Sequence, residues 1–95
     1  MGSDRPLPAY TVQVARPAEK LLRRLPQDLL RRLQKAIDAL GENPRPAGAV
    51  KLTGYDLYRV RVGDWRIVYA IHDDVLIVVV IEVAPRGGAY RNLKG

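Results

Sequence analysis

Ninety-five residues, 47% of them apolar and 27% charged, suffice for one small globular domain and exclude both a multidomain enzyme and a disordered chain. The absence of cysteine and the presence of one histidine, His72, remove disulfides, thiolate zinc sites, cysteine nucleophiles and any histidine-built metal site or triad. Sixteen Lys and Arg against ten Asp and Glu give a formal charge of +6, mostly from arginine, which stays charged and forks two donors onto a phosphate, so an acidic or polyanionic partner is expected.

Residues 1–8 carry Asp4, Arg5 and two prolines with no apolar stretch. They are expected to form a flexible N-terminus rather than a secretory signal. The longest apolar run, Val75 to Ile81, is seven residues, well short of the roughly 20 that a membrane helix needs, and the cytoplasm is the default compartment. Tyr10-Thr11-Val12-Gln13-Val14 alternates as a half-buried strand does. Pro17 and Pro26 each suit a first helical position, where a missing N–H costs nothing. They predict helices over Pro17–Leu25 and Pro26–Leu40, the second with Leu29, Leu30, Leu33, Ile37 and Leu40 as an apolar stripe and Gly41 as C-cap. Residues 42–54 read as a loop punctuated by Pro44, Pro46, Gly48 and Gly54.

Three strands are predicted next, over Tyr55–Val62, Trp65–Ile71 and Val75–Ala84. The last is Val- and Ile-rich with little alternation, as expected of a central strand buried on both faces. Residues 85–95 form a polar tail. The fold class is therefore α+β in a single domain over 1–95: an N-terminal strand, a helical hairpin, and an antiparallel three-stranded meander forming a small sheet with the helices packed on one face.

The chemistry concentrates in Leu57-Tyr58-Arg59-Val60-Arg61-Val62-Gly63-Asp64-Trp65-Arg66-Ile67-Val68-Tyr69. Gly63-Asp64 suits a two-residue hairpin loop, which sets Val62 opposite Trp65, Arg61 opposite Arg66 and Val60 opposite Ile67. Cross-strand partners share a face. Arg59, Arg61 and Arg66 then project from one side of the sheet, while Val60, Val62, Trp65, Ile67 and Tyr69 face the helices. Like charges directly opposite one another are destabilising unless an anion sits between them, so three converging arginines suggest a phosphate site. The alternative is a solvated strand face with the arginine heads in water. Arg86 follows the last strand, and Tyr90, four residues on, offers an aromatic plane for a base. His72, beside Asp73 and Asp74, reads as a turn residue.

This order of elements, the basic strand, short turn and Trp-Arg strand, and the Arg86…Tyr90 tail resemble the RelE/ParE superfamily of type II toxin–antitoxin systems over roughly Tyr10 to Tyr90. The resemblance implies a RelE-like toxin: a ribosome-dependent endoribonuclease that cuts mRNA in the ribosomal A site, the adjacent 2′-hydroxyl attacking to leave a 2′,3′-cyclic phosphate. It places Arg59, Arg61, Arg66, Arg86 and Tyr90 at catalytic positions. Arg66 matches the arginine that stabilises the crowded phosphate, Arg86 the general acid, and Tyr90 the substrate-stacking tyrosine. Lys51 and Arg91 are expected to touch the RNA. The implied partners are an acidic, RelB-like antitoxin, the ribosome and mRNA; no cofactor or metal is implied. Two departures stand out. Arg61 occupies the position where relatives often carry a lysine general base, and a guanidinium is a poor base; Pro85 stands where many relatives have His or Lys. They keep open a ParE-like toxin that inhibits DNA gyrase by binding, and a basic module that binds nucleic acid without cutting it.

Overall fold

The computed structural model describes residues 9–85. The expected N-terminal segment 1–8, most of the polar tail, and with it Arg86, Tyr90 and Arg91, lie outside the described residues. Helix α1 spans Arg16–Arg23 with Pro17 in its first turn, close to expectation. Helix α2 spans Gln27–Glu42. Pro26 has extended backbone and is the N-cap of α2, its carbonyl accepting the first helical hydrogen bond from the Leu30 N–H at 2.9 Å. Gly41 is not the C-cap. The helix runs through it to Glu42 with Asn43 as C-cap, and the Gly41 carbonyl instead accepts a hydrogen bond from the Tyr10 N–H at 2.9 Å, tying the helix end to the entry of the first strand.

Five strands form one mixed sheet: β1 Thr11–Val14, β2 Val50–Lys51, β3 Tyr58–Val62, β4 Trp65–His72 and β5 Ile77–Pro85, in the order β1-β5-β4-β3-β2. The predicted meander is β3-β4-β5, antiparallel throughout, and β1 lies parallel to β5. The sheet therefore has one strand more than the sequence reading assigned. β2 falls inside the stretch read as a loop, since two residues are too few to show alternation; it pairs antiparallel with β3. The β3–β4 register is the expected one, with Arg61 opposite Arg66 and Val62 opposite Trp65.

The core fills the space between the helices and one face of the sheet. Ala18 and Leu22 of α1 and Leu33, Ile37 and Leu40 of α2 close on Ile67, Tyr69, Val78, Val80 and Val83. β5 does lie between two strands, but it is buried throughout on the helix side alone: Val78, Val80 and Val83 are enclosed there, while on the second face Ala84 is buried and Ile77, Val79 and Glu82 are only half-buried. No described helix covers the second face. The register shifts between Val68 and Tyr69, which pair with Glu82 and Val80, so Ile81 is an extra residue. This bulge moves the buried positions of β5 from even to odd numbers and puts Glu82 on the face away from the helices.

Gly63 has φ 60° and Asp64 does not share that sign, the pattern of a hairpin turn whose first central residue must be glycine. A Cβ at Gly63 would also stand 2.5 Å from an Nη atom of Arg32. That side chain can swing away, whereas the backbone strain remains. Gly63→Ala is expected to cost about 1–2 kcal/mol, read as a lower urea midpoint at unchanged slope; an unchanged midpoint would show that the turn tolerates a side chain.

Candidate active site on the open face of the sheet

The strand pleat and the tight turn together build an arginine row. Arg59 and Arg61 sit two apart on β3 and therefore on the same face; Arg66 lies directly across from Arg61. Arg61 is exposed, while Arg59 and Arg66 are half-buried and the Nε atom of Arg66 is fully enclosed. A shallow cleft of about 50 Å³ at the hairpin tip is lined by Arg61, Gly63, Asp64, Trp65 and Arg66. Beneath the row lies a small apolar floor, Val68 and Ala84 packed with Leu52 and Leu57, which keeps water from one side of the guanidinium groups and strengthens their field.

Glu82 belongs to the same face, and the sequence reading missed it. It pairs with Val68, whose other neighbour is Arg59, and the next row along runs Arg61, Arg66, Ala84. Two strand spacings, roughly 10 Å between backbones, separate Arg59 from Glu82, and the diagonal from Arg66 to Glu82 is about 7–8 Å. Arginine and glutamate side chains are long enough to reach across either gap. Arg59, Arg66 and Glu82 all engage in interactions within the chain. The available signal was a lone carboxylate in the otherwise apolar run Ile77 to Ala84; the bulge hid which face it occupied.

The other expected contacts fall differently. Lys51 pairs with Tyr58 and so stands on the helix-side face at the sheet edge, exposed, its Nζ 3.9 Å from Asp56. Lys51 and the loop residues 52–56 that follow it line an open cleft of about 530 Å³. His72 shares the parity of Arg66 on β4, but six residues of strand put it about 20 Å away. Among the described residues no three His, Cys, Asp or Glu side chains gather as a metal site, and no helix is long and apolar enough to cross a membrane.

A second polar cluster, on the far side of the molecule, joins four segments. The Arg45 guanidinium donates to both Asp73 carboxylate oxygens, at 3.2 and 2.8 Å, and through Nε to the Tyr58 hydroxyl at 3.4 Å; the Tyr10 hydroxyl donates to Asp73 as well. Tyr58 stacks on Tyr69 with centroids 5.9 Å apart, and the Tyr69 hydroxyl donates to the Pro44 carbonyl at 2.7 Å. Burial pushes the Tyr69 phenol up to about 12. The hydrogen bonds from Arg45 and then Tyr10 hold the Asp73 carboxyl down at about 2, below the usual carboxylate range of about 3.9. A lowered value means the folded state binds this proton more weakly, so the clasp stabilises fully above about pH 4 and is lost as pH falls toward about 2. Asp73→Asn is expected to remove that share of the acid sensitivity, seen as a flatter Tm profile over this window. A parallel fall in variant and wild type would mean that the clasp adds nothing.

The family model for the ParE toxin of type II toxin–antitoxin systems (parDE) matches residues 10–90. The putative toxin RelE1 of Methanocaldococcus jannaschii is 32% identical over 87 residues, covering 87% of this chain and 97% of that one. Among solved structures, the archaeal RelE–RelB complex of Pyrococcus horikoshii OT3 matches with a TM-score of 0.72 and 31% identity, covering 85% of this chain and 99% of that chain. The isolated E. coli RelE toxin matches with a TM-score of 0.73 and 27% identity, covering 90% of this chain and 94% of that chain.

Proposed function

The chain belongs to the RelE/ParE family of toxins from type II toxin–antitoxin systems, and from that premise we propose that it is a ribosome-dependent endoribonuclease cutting mRNA in the A site. The observation that carries this reading is the row Arg59, Arg61 and Arg66 on the one face that no described helix covers. Attack of a 2′-hydroxyl on the neighbouring phosphate concentrates negative charge on the phosphorus oxygens, and donors already held in place for that charge are usually the largest catalytic contribution. Arg66, opposite Arg61 and over the apolar floor, is assigned to the phosphate. Arg59 and Arg61 flank it. Arg86 and Tyr90, just beyond β5 in the sequence, are assigned to leaving-group protonation and base stacking and Arg91 to an RNA contact, whereas Lys51, on the helix-side face at the sheet edge, is not assigned to the site. The ribosome supplies substrate position, which allows a site this small to suffice.

An acidic antitoxin is the expected partner, since the P. horikoshii relative was solved as a RelE–RelB complex and this chain carries +6. It would cover the helical hairpin or the arginine row. The second reading, binding of DNA gyrase without cutting, is favoured by the match to a model described by its ParE members. Purified protein added to programmed ribosomes, with mRNA 5′ ends mapped by primer extension, separates the two. Cleavage at A-site codons is expected; no cleavage, together with loss of gyrase supercoiling in a parallel assay, would reverse the assignment.

A further inference from the structure

The nuclease reading needs a group that takes the proton of the attacking 2′-hydroxyl, and the arginine row cannot supply one, because a guanidinium keeps its proton at any pH at which the protein is folded. His72 is too far along β4. Resting on that reading, we propose that Glu82 is the general base: its carboxylate takes the 2′-hydroxyl proton as the 2′-oxygen bonds to phosphorus, the bond from phosphorus to the 5′-oxygen breaks, and the departing 5′-oxygen takes a proton from solvent.

Three observations carry this role. Glu82 is the one carboxylate that β3, β4 and β5 place on the arginine face. The bulge at Ile81 is what turns it there, since uninterrupted pairing would point residue 82 into the helices; bulges recur next to active sites because they re-aim a side chain in this way. Its row lies beside the row of Arg61 and Arg66, so a phosphate held by those two guanidinium groups has its ribose within reach of Glu82. On that face Arg59 of β3 shares the row of Glu82 across Val68 and Arg66 of β4 lies on its diagonal, with Arg61 and Asp64 further toward the hairpin tip. Asp64 is the competing carboxylate, since it lines the cleft with Arg61 and Arg66, but it stands exposed in the turn at the end of the row.

The test is single-turnover cleavage of mRNA on programmed ribosomes by wild type, Glu82→Gln, Glu82→Asp and Asp64→Asn, with binding of an uncleavable 2′-deoxy mRNA measured in parallel. Glu82→Gln is expected to slow cleavage by about 10²–10⁴-fold and to bind the 2′-deoxy message as wild type does. Glu82→Asp, which keeps a carboxylate, should recover part of that loss. Three outcomes overturn the proposal: normal cutting by Glu82→Gln, binding by Glu82→Gln weakened in proportion to its slower cleavage, which would make Glu82 a positioning residue for the arginines, or a loss in Asp64→Asn larger than that in Glu82→Gln, which would make the turn carboxylate the base. Wild type failing to cut at all would instead bring down the nuclease reading, and the proposal with it.

Discussion

Replacing Arg66 by alanine is expected to lower mRNA cleavage by about a hundred- to a thousandfold while leaving the urea midpoint nearly unchanged. The two halves of the result have separate causes. Arg66 is directly opposite Arg61, so truncation relieves a like-charge pair, which offsets the interaction that Arg66 makes within the chain and the packing of its aliphatic stem. The catalytic half follows from position: Arg66 lies on β4 between β3 and β5, in the middle of the face that the nuclease reading gives to the phosphate. Arg61→Ala, removing an exposed side chain at the edge of the cleft, should cost less. Cleavage by Arg66→Ala at the wild-type rate would mean that the site lies elsewhere on the molecule.

The second large effect concerns the support of that face. Leu33 is fully enclosed between α2 and the sheet, and Leu33→Ala should cost about 2–5 kcal/mol, a large part of the roughly 5–14 kcal/mol available to a chain of this length. Equilibrium urea unfolding measures it directly. In cells the same variant should lose toxicity through reduced abundance rather than through chemistry, so purified protein kept folded in the cold should still cut. A cost below 1 kcal/mol would show that α2 contributes little to holding the sheet.

What could be read in advance was governed by local rules. The hairpin at Gly63-Asp64 has a two-residue loop, and once its place was fixed, alternation delivered every pairing from Tyr58–Tyr69 to Val62–Trp65 and the shared face of Arg59, Arg61 and Arg66. The stripe on α2 likewise placed Leu33, Ile37 and Leu40 in the core. Features decided by tertiary contact escaped. Gly41 stops nothing, because the helix end is held by Tyr10 rather than by a glycine cap. The strand Val50–Lys51 exists only through its pairing with β3. Glu82 owes its face to a bulge, and the Arg45–Asp73 clasp joins residues 28 positions apart, with no motif to announce it.

The parallel docking of β1 on β5 also bears on when the protein becomes dangerous to the cell that makes it. Of the described strands β1 is the first to be synthesised, but its hydrogen-bonding partner is β5, more than 60 residues later, and Glu82 and the Ala84 part of the floor beneath the arginines come from β5 as well. A nascent chain that has emerged as far as β4 holds Arg59, Arg61 and Arg66 without the strand that closes the sheet around them. Sheets joined over such long sequence separations form late and slowly. The arginine face is therefore complete only once β5 has been made and docked, so an antitoxin already present would meet the chain before there is anything to neutralise.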